Sequence, residues 1–180
     1  KLVLGTYYKT LTSNAPGAEF GWNYMDSMSG GCLPGDVVSF VGRPAMGKSW
    51  LMLYIALHNW VKLHLNVLFV SMEMNVLAVA QRCTSMYAHT NISQLKLAGY
   101  STSTMGLFMD KTAQMEQEPG KFYVMDGNLA ASANHIYSLA QQLSCNVICI
   151  DGAYLVKHPN SKLDRFTRVA ENVELFTQMG

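Results

Sequence analysis

Short apolar runs alternate with stretches of helical spacing along most of the chain. Four runs read as buried strands: Val37–Val41, Val67–Val70, Phe122–Met125 and Val147–Ile150. Each is rich in β-branched or aromatic residues and bounded by turn-forming ones. Between them, 48–62, 75–89, 103–117 and 132–143 carry helical patterning, and a last helix is expected over 165–178. Ser132 is placed to cap the helix that follows it, and Asn91 to cap a short helix ending near Gly99. Pro119-Gly120 stops the helix at 103–117, which Gly106 already weakens. Strands alternating with helices predict an α/β fold, a mainly parallel sheet with helices on both faces. Residues 1–20 lack periodicity and read as a polar linker arm; 21–180 read as the domain. The first residue is Lys1 rather than Met, so residue 1 is not expected to be the natural start.

Composition narrows the class. Of the 180 residues, 49% are hydrophobic and 14% charged, the latter well below the ~25% of an average domain. That argues against a disordered tail or a coiled coil and leaves ample material for a core. A net charge of +1 gives no global signal for a polyanion partner. One local excess, Lys157, Lys162, Arg165 and Arg168 against Asp164, follows the fourth apolar run. The longest apolar run, Trp50–Leu57, falls far short of the ~20 residues of a membrane span. No membrane association is predicted, and the cytoplasm is the expected compartment. Cys32, Cys83, Cys145 and Cys149 lack metal-ligand spacing, and Cys145 and Cys149 read as small core residues. Met72, Met74 and Met86 read as core filler, and Trp22 and Tyr24 as packing residues rather than platforms for a base.

The chemistry concentrates after the apolar runs. Gly42-Arg43-Pro44-Ala45-Met46-Gly47-Lys48-Ser49 fits G-x-x-x-x-G-K-S/T, and Trp50 continues it into the helix. A phosphate needs this spacing: the glycines let successive backbone N–H groups point inward, and the helix N-terminus adds its positive dipole end. Lys48 supplies a point charge for the β- and γ-phosphates, and Ser49 a hydroxyl for Mg²⁺. Asp151 ends the fourth run, where a parallel sheet delivers a carboxylate to the metal. Glu73 ends the second run, in Ser71-Met72-Glu73-Met74, and is placed to orient or deprotonate an attacking water. Asp126, before Gly127, reads as a turn or cap residue.

These motifs together resemble the DnaB-type replicative helicases. Arg43-Pro44-Ala45-Met46-Gly47-Lys48-Ser49 is similar to that family's R-P-x-M-G-K-S/T loop, and Ser71-Met72-Glu73-Met74 to its S-x-E-M motif. Gly21-Trp22-Asn23-Tyr24-Met25-Asp26 with Ser29-Gly30-Gly31-Cys32-Leu33-Pro34-Gly35-Asp36 resembles the approach to its first core strand. Ile150-Asp151 with Tyr154-Leu155 resembles its Walker B region. The resemblance runs from about residue 20 to the end. It implies a RecA-like core, usually in a hexameric homo-oligomeric ring, that uses ATP and Mg²⁺ to translocate on single-stranded DNA. Primase or a helicase loader would be partners. Lys48 and Ser49 would hold phosphate and metal, Glu73 would act on water and Asp151 would support the metal. Lys157, Lys162 and Arg165 would be candidates to face DNA. One departure stands out: where the family has an aromatic residue after the Walker B acid, then Leu and Gln, this chain has Gly152, Ala153 and Tyr154. The family also has a sensor strand, between the strands that carry the P-loop and the Walker B acid, and an arginine finger. Neither is found in this sequence, which is therefore expected to be part of a longer protein. Two other functions share the P-loop: transfer of phosphate to a small acceptor, and a RecA-superfamily assembly ATPase.

Overall fold

The computed structural model describes residues 17–91, 102–127, 132–160 and 163–179. The elements are α1 (Asn23–Ser29), α2 (Lys48–Lys62), β1 (Val67–Ser71), α3 (Val76–Tyr87), α4 (Thr102–Glu116), β2 (Phe122–Asp126), α5 (Ala133–Gln142), β3 (Val147–Asp151), a 3₁₀ turn at Ala153–Leu155, and α6 (Arg165–Met179). The three strands form one parallel sheet in the order β2-β1-β3, with Ser71 level with both Asp126 and Asp151. All carboxyl ends therefore meet at one edge, where open α/β sheets place their ligands.

Alternation along β1 builds two cores. Val67 and Phe69 join Leu53, Ala56, Leu57 and Trp60 of α2 and Val79 and Cys83 of α3. Leu68 and Val70 join Ile136 and Ala140 of α5, and Phe176 of α6 packs against them. Burial on both faces explains why β1 is apolar from Val67 to Val70 rather than alternating. Cys149, Met74 and Met86 belong to the first core, and Met72 and Cys145 pack on the second. Caps fix the helix starts: Asn75 Oδ1 accepts from Ala78 N at 2.8 Å, and Ser132 Oγ from His135 N at 3.3 Å. Among the described residues no helix is long and apolar enough to cross a membrane.

Three expectations change. Val37–Val41 pairs with none of the strands, and Val37, Val38 and Val41 are 43%, 46% and 95% exposed. The sheet has β1 between β2 and β3, no strand among the described residues lies beside Val37–Val41, and an apolar run without a paired neighbour does not form a strand by itself. Residues 17–20 also differ from an arm. Phe20 is buried, Glu19 N donates to Asn59 Oδ1 at 2.9 Å, and Asn59 Nδ2 returns a bond to Glu19 O at 2.7 Å. A fully buried Asn needs such partners, and this segment provides them. Tyr24, read as a packing residue, is 79% exposed, because the short helix α1 buries none of its side chains; Trp22 does pack, its ring 4.6 Å from that of Tyr54. Lys162, the helix expected after Asn91, and 1–16 of the arm lie outside the described residues.

Candidate functional site

The loop from Gly42 to Gly47 ends in a backbone turn that only particular residues tolerate. Gly47 caps α2 with φ of 85°, and Ala45 also has positive φ, 62°. A left-handed Ala is a sparsely populated conformation that its surroundings must hold. No acid stands in the first turn of α2, so its backbone N–H groups and dipole are left for an anion. Lys48 folds back over the loop, its Nζ donating to Gly42 O at 3.0 Å and Arg43 O at 2.9 Å. A groove of about 540 Å³ runs along this loop, lined by Phe40, Gly42, Arg43, Met46, Lys48 and Leu51.

Next to the loop stands the acid of β3. Ser49 Oγ donates to Asp151 Oδ1 at 3.0 Å, joining two positions 102 residues apart. Asp151 is buried, and its Oδ2 finds no hydrogen-bond partner among the described residues. Burial pushes the Asp151 carboxyl above its ordinary range, and neighbouring Glu73 adds to the shift; the Ser49 bond and the positive charges of Arg82 and Lys48 oppose it. A buried carboxylate oxygen without a donor, beside a hydroxyl, offers two hard oxygens, the donor chemistry that Mg²⁺ takes. The residues present therefore fit that ion.

Glu73 is set by a turn at the end of β1. Ser71 Oγ donates to Met74 O at 2.8 Å and accepts from Met74 N at 3.2 Å, which closes the Ser71–Met74 turn and leaves Glu73 exposed. Met72 N donates to Asp151 O at 2.9 Å, so the ends of β1 and β3 are tied. The structure thus brings Lys48, Ser49, Glu73 and Asp151 to one sheet edge.

The remaining sequence candidates divide. Pro44 and Met46 lie in the exposed loop, whereas the Trp50 ring packs under the Arg82 guanidinium, 4.9 Å from its centroid. Lys157 is exposed and shares a backbone bridge with Ser132. Arg165 lies over the Tyr154 ring at 4.5 Å, and Tyr154 donates to Glu73. Arg82 is not among the sequence candidates, and Tyr154 enters the sequence reading only through the Walker B resemblance and the departure after Asp151, with no part at Glu73. A lone cation on a helix reads as a solvated one, and the signal for Tyr154 was its offset from the family's pattern.

A glycine-rich loop after an apolar segment, a helix receiving it, and acids at the ends of parallel strands define a P-loop α/β domain. The chain belongs to the family of the DnaB-like helicase C terminal domain, whose match covers residues 17–179. It is 32% identical, over 96 residues, to a protein of Trieres chinensis described as a probable replicative DNA helicase, a match spanning 53% of this chain and 21% of that one. Two solved structures share the fold. One is a DnaB-like replicative helicase described with its interactions with primase, at TM-score 0.84 and 19% identity, over 99% of this chain and 45% of that one. The other is described as the ATPase domain of its protein, at TM-score 0.83 and 20% identity, over 99% of this chain and 65% of that one. This chain thus spans about a fifth of the curated relative's length and less than two thirds of either structure.

Proposed function

We propose that this chain is the nucleotide-binding core of an ATP-driven replicative helicase, acting on single-stranded DNA in the cytoplasm as one subunit of a hexameric ring. The carrying observation is the Ser49–Asp151 hydrogen bond beside the Lys48 loop. It joins a phosphate cradle to a buried acid with one oxygen unpartnered among the described residues. Family membership supports DNA as the partner, and the primase named for one structural relative supports primase or a loader as a second.

In this reading the loop N–H groups and Lys48 bind the phosphates. Lys48 exchanges its bonds to Gly42 O and Arg43 O for phosphate oxygens. Ser49 and Asp151 would hold Mg²⁺, which would neutralise phosphate charge when bound. Glu73 orients the attacking water and accepts its proton. Lys157 and Arg165, with Lys162, stand as candidates to meet the DNA backbone. A phosphotransferase would instead need an arginine-rich lid, and the described residues place Arg43, Arg82, Arg165 and Arg168 in no single lid-like insert.

The test is Lys48→Ala with matched thermal melts. ATP affinity, read by a fluorescent analogue, should fall at least tenfold while the melt stays put, because among the described residues the lysine's hydrogen bonds go to loop carbonyls. Unchanged affinity would overturn the P-loop assignment. Stimulation of hydrolysis by single-stranded DNA separates the helicase from an assembly ATPase.

A further inference from the structure

Beside Glu73 lies a contact that phosphate binding does not use. Tyr154 sits on the 3₁₀ turn, three residues past Asp151, and its hydroxyl donates to Glu73 Oε1 at 2.5 Å. Arg165, the first residue of α6, lies over the other end of the assembly, its guanidinium 4.5 Å from the ring centroid. A cation, a ring and a carboxylate from three separate elements are thereby linked in a row. The geometry depends on Gly152. Its φ is +88°, and a Cβ there would stand 3.1 Å from Met72 Cβ and 3.2 Å from Glu73 Cγ. A side chain at 152 would be strained and crowded against Met72 and Glu73, and the turn built on this glycine carries Tyr154, whose hydroxyl reaches Glu73.

The contact bears on the chemistry in two ways. A hydroxyl bonded to a carboxylate at this length is a strong, charge-assisted donor. It occupies one of the two oxygens that would take a proton from water. The bond to Glu73 also pushes the Tyr154 hydroxyl above its usual range, so at neutral pH it remains a donor. The outer end of the row is open: Tyr154 is 41% exposed and Arg165 is exposed, within reach of an anion that competes for the guanidinium.

We propose that Tyr154 is a positioning residue that restrains Glu73, and that a nucleic-acid phosphate drawing Arg165 off the Tyr154 ring releases the carboxylate. The inference rests on the reading of Glu73 as the group that acts on water, and it adds a route by which DNA reaches that group.

The experiment uses the full gene product, with an oligo-dT strand as the nucleic acid. Steady-state ATP hydrolysis and fluorescent-nucleotide binding are measured with and without the strand. Tyr154→Phe keeps the ring under Arg165 and removes the donor. Basal kcat should rise roughly tenfold or more, the factor that one hydrogen bond to a charged group represents. KM for ATP and nucleotide affinity should stay unchanged, and stimulation by the strand should shrink by the same factor. Combining it with Glu73→Gln should abolish the rise, since the restraint acts only through that carboxylate. A basal kcat equal to or below wild type in Tyr154→Phe would overturn the proposal while leaving the P-loop function standing. A wild-type protein that neither binds nor hydrolyses ATP would overturn both.

Discussion

Two valine-rich pentads of this chain meet opposite fates. Val67–Ser71 reads V-L-F-V-S and Val37–Val41 reads V-V-S-F-V, and each leads through a short loop into a helix. The first is the central strand, buried at every position. The second pairs with no strand and leaves Val41 almost fully exposed. Their composition does not separate them; neighbours do. β1 has a parallel partner on each side and helices on each face, whereas β3, the strand that carries Asp151, keeps one edge unpaired among the described residues. An apolar pentad shows suitability for burial, and the ladder that would bury it is a separate condition. The site rests on both pentads, since one delivers Glu73 and the other the phosphate loop.

Substitution within the buried pentad should have the largest effect. Phe69 is fully buried, its ring stacked on Phe122 with centroids 6.4 Å apart. Phe69→Ala should cost about 3–5 kcal/mol, enough to unfold a domain of ordinary stability. Urea melts of the purified chain measure it. A loss below about 1 kcal/mol would mean that the sheet is not the stable half of the comparison.

A smaller effect is expected at the acid that β3 carries. Burial raises the Asp151 carboxyl, so the folded state holds that proton more tightly than the unfolded chain does. The resulting stability is complete below the unfolded value and is lost as pH rises through the raised folded one. Asp151→Asn removes the buried charge and keeps an oxygen for Ser49 Oγ to bond. In chelator-treated protein without nucleotide, the variant should melt above wild type at neutral pH, and the difference should close in acid. Identical melts at both ends of the pH range would show that Asp151 is already compensated, with no unpartnered oxygen to offer a metal.

What the sequence made legible follows from the range of each constraint. The P-loop is local, its glycines, Lys48 and Ser49 lying within eight consecutive residues, so pattern alone located it. The placement of Glu73 and Asp151 was legible because the end of an apolar run is a definable place in the sequence, although Asp126 ends β2 in the same way and position alone does not assign a role. β1, β2, β3 and the helices around them lie within a residue or two of their expected bounds, because the 2.0 and 3.6 periods are also local signals. Pairing is not local: no property of Val37–Val41 itself says which strand lies beside it. The Tyr154–Glu73 bond spans 81 positions, and a turn around Gly152 sets it. The Arg82–Trp50 contact joins two helices whose relative placement only the packed core determines.

The smallest effect, and the sharpest test of the comparison, belongs to the exposed pentad. Val41 is 95% exposed, so Val41→Ser removes almost no buried area. Folding stability of this chain should change by less than about 0.5 kcal/mol, the ordinary range for a surface site. Solution behaviour should change more than stability. An apolar segment whose backbone finds no partner among the described residues is a template for another chain's strand, as is the edge of β3 that none of them pairs with. A hydroxyl in place of one valine lowers that tendency without touching the fold. Light scattering at rising protein concentration should therefore show later association for Val41→Ser than for wild type, at matched urea midpoints. Where a second strand covers Val41, serine should instead cost on the order of 1 kcal/mol, as loss of a buried valine's methyl groups would. A loss of that size already present in the 180-residue chain would mean that Val41 is covered, and that the two pentads differ less than their exposures show.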